Sequence, residues 1–168
     1  GQIQQTRFYI RDTTLTASLD VLEILTLNEL ERWEESKMIF ARYVTRNQLT
    51  IQVDNLYDFL KKKPKNPEKA QLLSFLLPGL GQIYAGYPKE GFVSVGLQAL
   101  SLGFGVYHVL NHYYLIGFFT GAGLLQTFYF GGARRSGIMA EETNRKRKAR
   151  NNQKIRALLI ENEQKKER

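Results

Sequence analysis

GFVSVGLQALSLGFGVYHVLNHYYLIGFFTGAGLLQTFYFGGA, residues 91–133, runs for 43 positions without an Asp, Glu, Lys or Arg. A bilayer core about 30 Å thick takes roughly 20 helical residues per crossing, so the stretch is long enough for two. Asn111-His112-Tyr113-Tyr114 sits at its middle and reads as a turn. The pattern predicts a membrane hairpin with helices over 92–110 and 114–131. The competing reading is a buried helix pair in a soluble domain. That needs a shell of amphipathic helices over both, and residues 1–60 would cover one face. Tyr84, Tyr87, Tyr107, Tyr113, Tyr114 and Tyr129 fall near the ends of the predicted spans, where amphipathic rings settle at the membrane–water interface.

The spans are Gly-rich and interrupted by Ser94, Gln98, Ser101, His108, Gln126 and Thr127. In lipid, small residues let helix backbones approach closely, and polar side chains bond across helices. Ala99 with Gly103, and Gly117 with Gly121, have the small-xxx-small spacing. They predict helices packed on protein.

Just upstream, residues 70–88 form another uncharged stretch, and Pro78-Gly79 breaks it. It reads as a short apolar helix, a Gly-Leu-Gly turn and an interfacial or re-entrant segment. Irregular backbone at membrane depth requires cover from protein or water, which places this segment at the membrane surface or under a partner. Gly79, Gly81 and Gly86 permit positive φ or close backbone approach. Gln82 is positioned to bond backbone groups freed at the kink, and Tyr84 to anchor at headgroup level.

The run Leu73-Ser74-Phe75-Leu76-Leu77-Pro78-Gly79-Leu80-Gly81-Gln82-Ile83-Tyr84-Ala85-Gly86, followed by Lys89-Glu90-Gly91, resembles the PGLGQ-x-Y-x-G signature of small bacterial membrane domains. These include the two-transmembrane-helix domain family and uncharacterised envelope proteins of Bacteroidota-type bacteria. The resemblance covers about residues 70–135 and implies a membrane hairpin led into by Pro78, Gly79, Gly81, Gln82, Tyr84 and Gly86. The acidic-aromatic-Tyr element of the animal members is missing, so nothing about signalling is implied.

Charge is segregated around this middle. Residues 1–60 have a net charge of −3, 61–69 of +4, 70–132 of zero and 133–168 of +7. Residues 61–69 read as a basic linker broken by Pro64 and Pro67. Residues 134–168 read as a basic helical tail, helical over about 138–164. Its patch is Arg134, Arg135, Arg145, Lys146, Arg147, Lys148 and Arg150. Such clusters beside a span are drawn to anionic lipid. Nucleic acid is disfavoured as a partner, because neither aromatic interleaving nor a nucleic-acid-binding motif accompanies the charge.

Residues 1–60 read as an amphipathic helical unit. An early piece covers about 15–25, and Thr26-Leu27-Asn28-Glu29 matches a capping box. Leu30, Trp33, Lys37, Phe40, Ala41 and Val44 follow at helical spacing. A further helix is expected over about 50–62. Sixty residues are marginal for independent stability, so exposed apolar faces are expected to dock on a partner or on the membrane. The acidic residues here read as solvated faces.

Catalytic and metal-ligating residues are not expected. The chain has no Cys. His108 and His112 have metal-ligand spacing on one helix face, but a third ligand is missing nearby. Gly79-Leu80-Gly81 lacks the strand and Lys of a phosphate loop. No cofactor is implied.

The fold class expected is all-α, a membrane hairpin between an amphipathic N-terminal helical unit and a basic C-terminal helix. The function expected is a non-catalytic scaffold or accessory subunit of a bacterial envelope complex, for example in outer-membrane protein assembly or secretion, with membrane lipids and other subunits as partners. Two alternatives are a small oligomeric channel or transporter and a tether that recruits ribosomes through the basic tail. Both flanks of the hairpin are basic and its turn is not, which puts both ends in the cytoplasm for an inner-membrane protein. A first residue of Gly rather than Met fits a cleaved signal, which would put both ends in the periplasm and the hairpin in the outer membrane.

Overall fold

The computed structural model describes residues 13–166, and all their regular structure is helical. The expectation of a processed terminus at Gly1 lies outside them. The chain divides into two compact units, one of Gly1–Lys63 with Arg147–Arg168 and one of Pro64–Lys146. The segmentation expected from charge, with 134–168 set apart as a tail, differs. The basic helix is shared out at Arg147, and its last turns belong to the N-terminal unit.

In the first unit, α1 (Thr13–Glu29) and α2 (Trp33–Arg46) form an antiparallel pair. The face α2 buries is Trp33, Ser36, Phe40, Tyr43 and Val44, the stripe a 3.6-residue period produces. The capping-box expectation fails. Thr26 to Glu29 is the last turn of α1, where Thr26 Oγ1 donates back to Leu22 O at 2.8 Å. Leu27 and Asn28 are buried on α1, so α1 carries on through the box, and α2 begins beyond Glu31, whose φ is +57°. Leu30, expected on the core face, is 60% exposed in this connection.

The helix expected over 50–62 is only α3 (Val53–Tyr57) followed by a 3-10 turn (Asp58–Leu60). Tyr57 and Phe59 are both buried. Residues two apart on an α-helix point to nearly opposite sides, so the tighter turn lets both reach the core. Phe59 meets Trp33 edge-on at 5.1 Å, and Tyr57 shares a 2.8 Å hydroxyl hydrogen bond with Ser36.

Part of the apolar face of this unit is covered from within. Ile155 and Leu159, one turn apart on the C-terminal helix, are essentially fully buried in the same cluster as Ile24, Phe40, Tyr43 and Tyr57. Tyr43 donates to Glu163 at 2.6 Å, and Asn152 to Glu29 at 3.0 Å. Part of the apolar face is thus closed by the chain's own helix, while Leu22, Leu30, Met38 and Ile160 stay about half exposed or more. Asp20 also departs from expectation. It is fully buried and takes ion pairs from Arg42 at 2.9 Å and from Arg46, fastening α1 to α2.

The second unit starts with α4 (Pro67–Leu76). Asn66 caps it by accepting from Lys69 N at 2.7 Å, and Pro67 occupies the first turn, where its missing N–H is harmless. Leu77 precedes Pro78 and is pushed into extended backbone, ending α4. Gly79, with φ +89°, turns the chain into α5 (Leu80–Ala85), and Gly86, with φ +100°, ends it. Next comes α6 (Pro88–Leu110), 23 residues and about 35 Å long. The predicted turn follows, with His112 at φ +66°. Then come α7 (Tyr114–Ile116), a π-helical stretch (Gly117–Ala122) and α8 (Gly123–Lys166).

Among the described residues, α6 is the one helix long and apolar enough to cross a membrane. The second predicted span is not a regular α-helix throughout. The π-helical stretch occupies its first half, and the α-helix that resumes at Gly123 soon enters the charged tail.

Candidate functional site

The glycine-rich motif builds a junction of three helices. Gly81 is buried where α5 passes between α4 and α8. A Cβ there would lie 2.0 Å from Ala70 O, 2.3 Å from Ser74 Oγ and 2.7 Å from Ser136 Oγ. Gln82 is 1% exposed. Its Oε1 accepts from Ser74 Oγ and its Nε2 donates to Gly132 O, both at 2.9 Å. The expected partner for Gln82 was backbone freed at the kink, but its backbone partner is a carbonyl fifty residues away. Gly79 packs on Gly91, where a Cβ would stand 2.4 Å from Gly91 O. Pro78 ends α4, and Gly86 ends α5. Tyr84 is half-buried. Its hydroxyl accepts from Asn66 N at 3.1 Å, and Lys65 and Lys69 stand over its ring at 4.7 and 5.6 Å.

Sequence reasoning missed the other half of this junction. Ser74, Ser136, Gly91 and Gly132 are its receiving surfaces. Asn144 closes it by accepting from Lys65 N at 2.8 Å and donating to Lys65 O at 2.7 Å. Thr143 donates to Ala85 O at 2.7 Å. The usable signal was small or hydroxyl residues at Ser136 and Gly132, one turn apart on a helix read only for its charge.

Toward the turn, α6 and the π-helical stretch meet along a glycine seam. A Cβ on Gly117 would stand 2.8 Å from Gly105 O, and one on Gly121 would stand 2.6 Å from Gly105 Cα. Gly117 and Gly121 both lie in this seam. Ala99 and Gly103 are not in the seam. Both are exposed, and nothing lies within 4 Å of a Cβ on Gly103. The facing residues are Ser101 and Gly105, the same four-residue spacing shifted by two, which turns the helix face by more than half a circle.

Outside the seam and junction, residues 70–133 are apolar on their exterior, with Lys89 and Glu90 as the exceptions. Only 17% of the most apolar stretch of α6 is buried. Phe92, Leu100 and Leu110 on α6, and Leu115, Phe118 and Phe119 after the turn, are each about two-thirds exposed or more. Leu72, Leu76 and Leu77 at the end of α4 continue the band.

The basic residues divide between the units. Arg135 pairs with Glu90 at 3.1 Å, while Arg134, Arg145 and Arg150 are exposed. Lys146 pairs with Glu142 at 2.8 Å and reaches Tyr87 Oη at 3.2 Å. Hydrogen bonding to Glu142 raises the Lys146 ammonium pKa, and that bond lowers the Glu142 carboxyl pKa. Arg147 donates to Lys63 O at 3.4 Å, and Lys148 pairs with Glu31. Four of the seven patch residues, Arg135, Lys146, Arg147 and Lys148, are thus engaged within their own unit.

His108 and His112 do not share a helix face, because α6 ends at Leu110 and His112 lies past it. Their ring nitrogens contact Phe104 O at 3.0 Å and Tyr114 Oη at 2.8 Å. Among the described residues no group of three or more His, Cys, Asp or Glu is placed to hold a metal ion. Compared with protein-family models, curated proteins and solved structures, the chain matches none.

Proposed function

We propose that this chain is an integral membrane protein acting as a non-catalytic scaffold or accessory subunit of a bacterial envelope complex. One observation carries the reading, the inverted polarity of residues 70–133. Small and polar residues fill the helix contacts, and Leu, Phe and Val cover the outside. Water penalises such an exterior at about 25 cal/mol per Å², whereas hydrocarbon does not. Uncovered apolar patches far smaller than this band mark interaction sites on soluble proteins.

The hairpin belongs to the same proposal. Backbone angles stay right-handed helical through Ile116, Gly117 and Gly123, so the π-helical stretch widens one helix rather than ending it. The 18 residues 114–131 then measure about 27 Å, close to one crossing. The bacterial envelope, and an assembly or secretion complex within it, rest on the resemblance carried by residues 73–86. The basic flanks add an electrostatic hold on the headgroup layer.

Carbonate extraction of membranes from the cells that make the protein, followed by mild-detergent purification and mass spectrometry of co-purifying chains, tests both levels. The expected outcome is retention in the carbonate pellet and a stoichiometric set of partners, whose compartment identifies the membrane. Release into the carbonate supernatant would overturn the membrane reading. A homo-oligomer without partners would overturn the accessory-subunit reading in favour of a channel.

A further inference from the structure

Beside the Gln82 junction, α6 and α8 part to leave an open groove of about 440 Å³, within the size range of small-ligand sites. Val93, Leu97 and Phe128 give it apolar walls, with Ser94 and Thr127 among them. Thr127 donates its hydroxyl hydrogen to Gly123 O at 2.8 Å, within its own helix. Glu90 and Arg135 stand at one end. Their side chains pair at 3.1 Å yet remain 42% and 61% exposed. Chain order makes this end the headgroup end. Glu90 precedes Val93 and Leu97 along α6, and Arg135 follows Phe128 along α8, so both charges cap the same end of the apolar slot.

The complement of an apolar slot capped by a carboxylate beside a guanidinium is a molecule with an acyl chain and a headgroup of both charges. A guanidinium donates two parallel hydrogen bonds to phosphate oxygens. A carboxylate accepts from a primary ammonium, whereas a quaternary ammonium has no N–H to give and a purely anionic headgroup sets a like charge against Glu90. Resting on the membrane reading above, we propose that this groove holds one phospholipid with a zwitterionic, ethanolamine-type headgroup. The acyl chain lies along Val93, Leu97 and Phe128, the phosphate meets Arg135 and the primary ammonium meets Glu90.

Glycines supply a clean test. Gly131 lines the groove, and nothing lies within 4 Å of a Cβ placed on it. Gly131→Leu therefore fills the slot without straining the helix contact. Gly96 has the same open space and is not among the groove's walls, so Gly96→Leu controls for added bulk. The full-length protein in detergent is titrated separately with palmitoyl-oleoyl phosphatidylethanolamine, phosphatidylcholine and phosphatidylglycerol, and bound lipids are counted by native mass spectrometry. The expected result is one phosphatidylethanolamine retained in preference to the other two, lost in Gly131→Leu and kept in Gly96→Leu. Glu90→Gln should weaken phosphatidylethanolamine about tenfold, the scale of one charged hydrogen bond, and erase its advantage over phosphatidylcholine. Equal retention of the three lipids by the wild type, or unchanged retention by Gly131→Leu, would overturn the proposal. Flotation of the wild type with phospholipid vesicles separates the two failures. A chain that floats but shows no preference refutes only the groove, and a chain that does not float refutes the membrane reading beneath it.

Discussion

Two units made from the same kind of helix solve opposite problems. Residues 1–63 with 147–168 bury Ile24, Phe40, Tyr43, Tyr57 and Ile155. Residues 64–146 bury Gly81, Gln82, Ser74 and Ser136, and turn Phe92, Leu100 and Phe118 outward. Water drives apolar surface inward, and the first unit obeys it. Hydrocarbon supplies no such drive, so helices there cohere through close backbone approach and hydrogen bonds between them. On the proposed membrane reading, the glycine seam at Gly105, Gly117 and Gly121 and the Gln82 junction are those two devices. The comparison teaches that two helical units of one chain can bury opposite kinds of side chain, and that what each buries is the argument for its solvent.

The widest gap between the units should appear with one substitution made twice. Phe40→Ala removes a fully buried ring and is expected to destabilise the first unit by about 4 kcal/mol. Phe118→Ala removes a ring that is 66% exposed and should change unfolding in detergent by less than about 0.5 kcal/mol. Trp33, the single tryptophan, sits in the first core, so its fluorescence during denaturant unfolding in detergent micelles reports that unit. Far-UV circular dichroism reports both. Equal effects would erase the distinction.

Gly81→Ala is the next largest. The new methyl would meet Ala70 O at 2.0 Å, and the helices must separate, at about 3 kcal/mol. Loss of helical signal at lower denaturant with an unmoved Trp33 transition is the expected signature. A shift of both transitions would show that the units do not unfold independently. Asp20→Asn acts only on the first unit. It removes the buried partner of Arg46 and one of two for Arg42, which keeps Glu23 at 3.7 Å, and both arginines are a third or more exposed. The expected loss is about 2 kcal/mol, below the range for a fully buried pair, read from the Trp33 midpoint.

The smallest effect needs alkali. Burial pushes the Tyr57 phenol from its ordinary value near 10 up to about 12, with the Ser36 hydrogen bond pulling the other way. The folded state therefore holds this proton more tightly than the unfolded chain. The stability from this group is complete below pH 10 and is lost as pH rises from 10 toward 12. About 1 kcal/mol should be gone by about pH 11. Burial raises the Tyr43 pKa as well. A Trp33 midpoint flat from pH 9 to about 11 would contradict the buried placement of Tyr57.

Much of the second unit was legible because charge is absent from residues 91–133. The uncharged run covers most of α6 and the turn read at 111–114, and four-residue spacing singled out Gly117 and Gly121, which meet Gly105. The facing register was not legible, since Ala99/Gly103 and Ser101/Gly105 satisfy the same spacing and only three-dimensional packing chooses between them. In the first unit, Trp33, Phe40 and Val44 followed from periodicity. The capping box misled because Thr26 has a second use, bonding the carbonyl one turn back, that the same four letters permit. The role of Ile155 and Leu159 was hidden by the charge around them. A two-residue apolar stripe is faint within a helix that also carries Arg145 to Arg150.

The central claim is that the apolar exterior of residues 70–133 faces hydrocarbon. The chain contains no cysteine, so single nitroxide labels can be placed on it without background. The decisive measurement is spin-label accessibility in phospholipid vesicles at Leu100, Val106 and Phe118, with Met38 in the first unit as the aqueous reference. The account predicts that Leu100, Val106 and Phe118 collide freely with dissolved oxygen and are shielded from a water-soluble nickel chelate, while Met38 shows the reverse. Nickel accessibility at Leu100 equal to that at Met38 would contradict it.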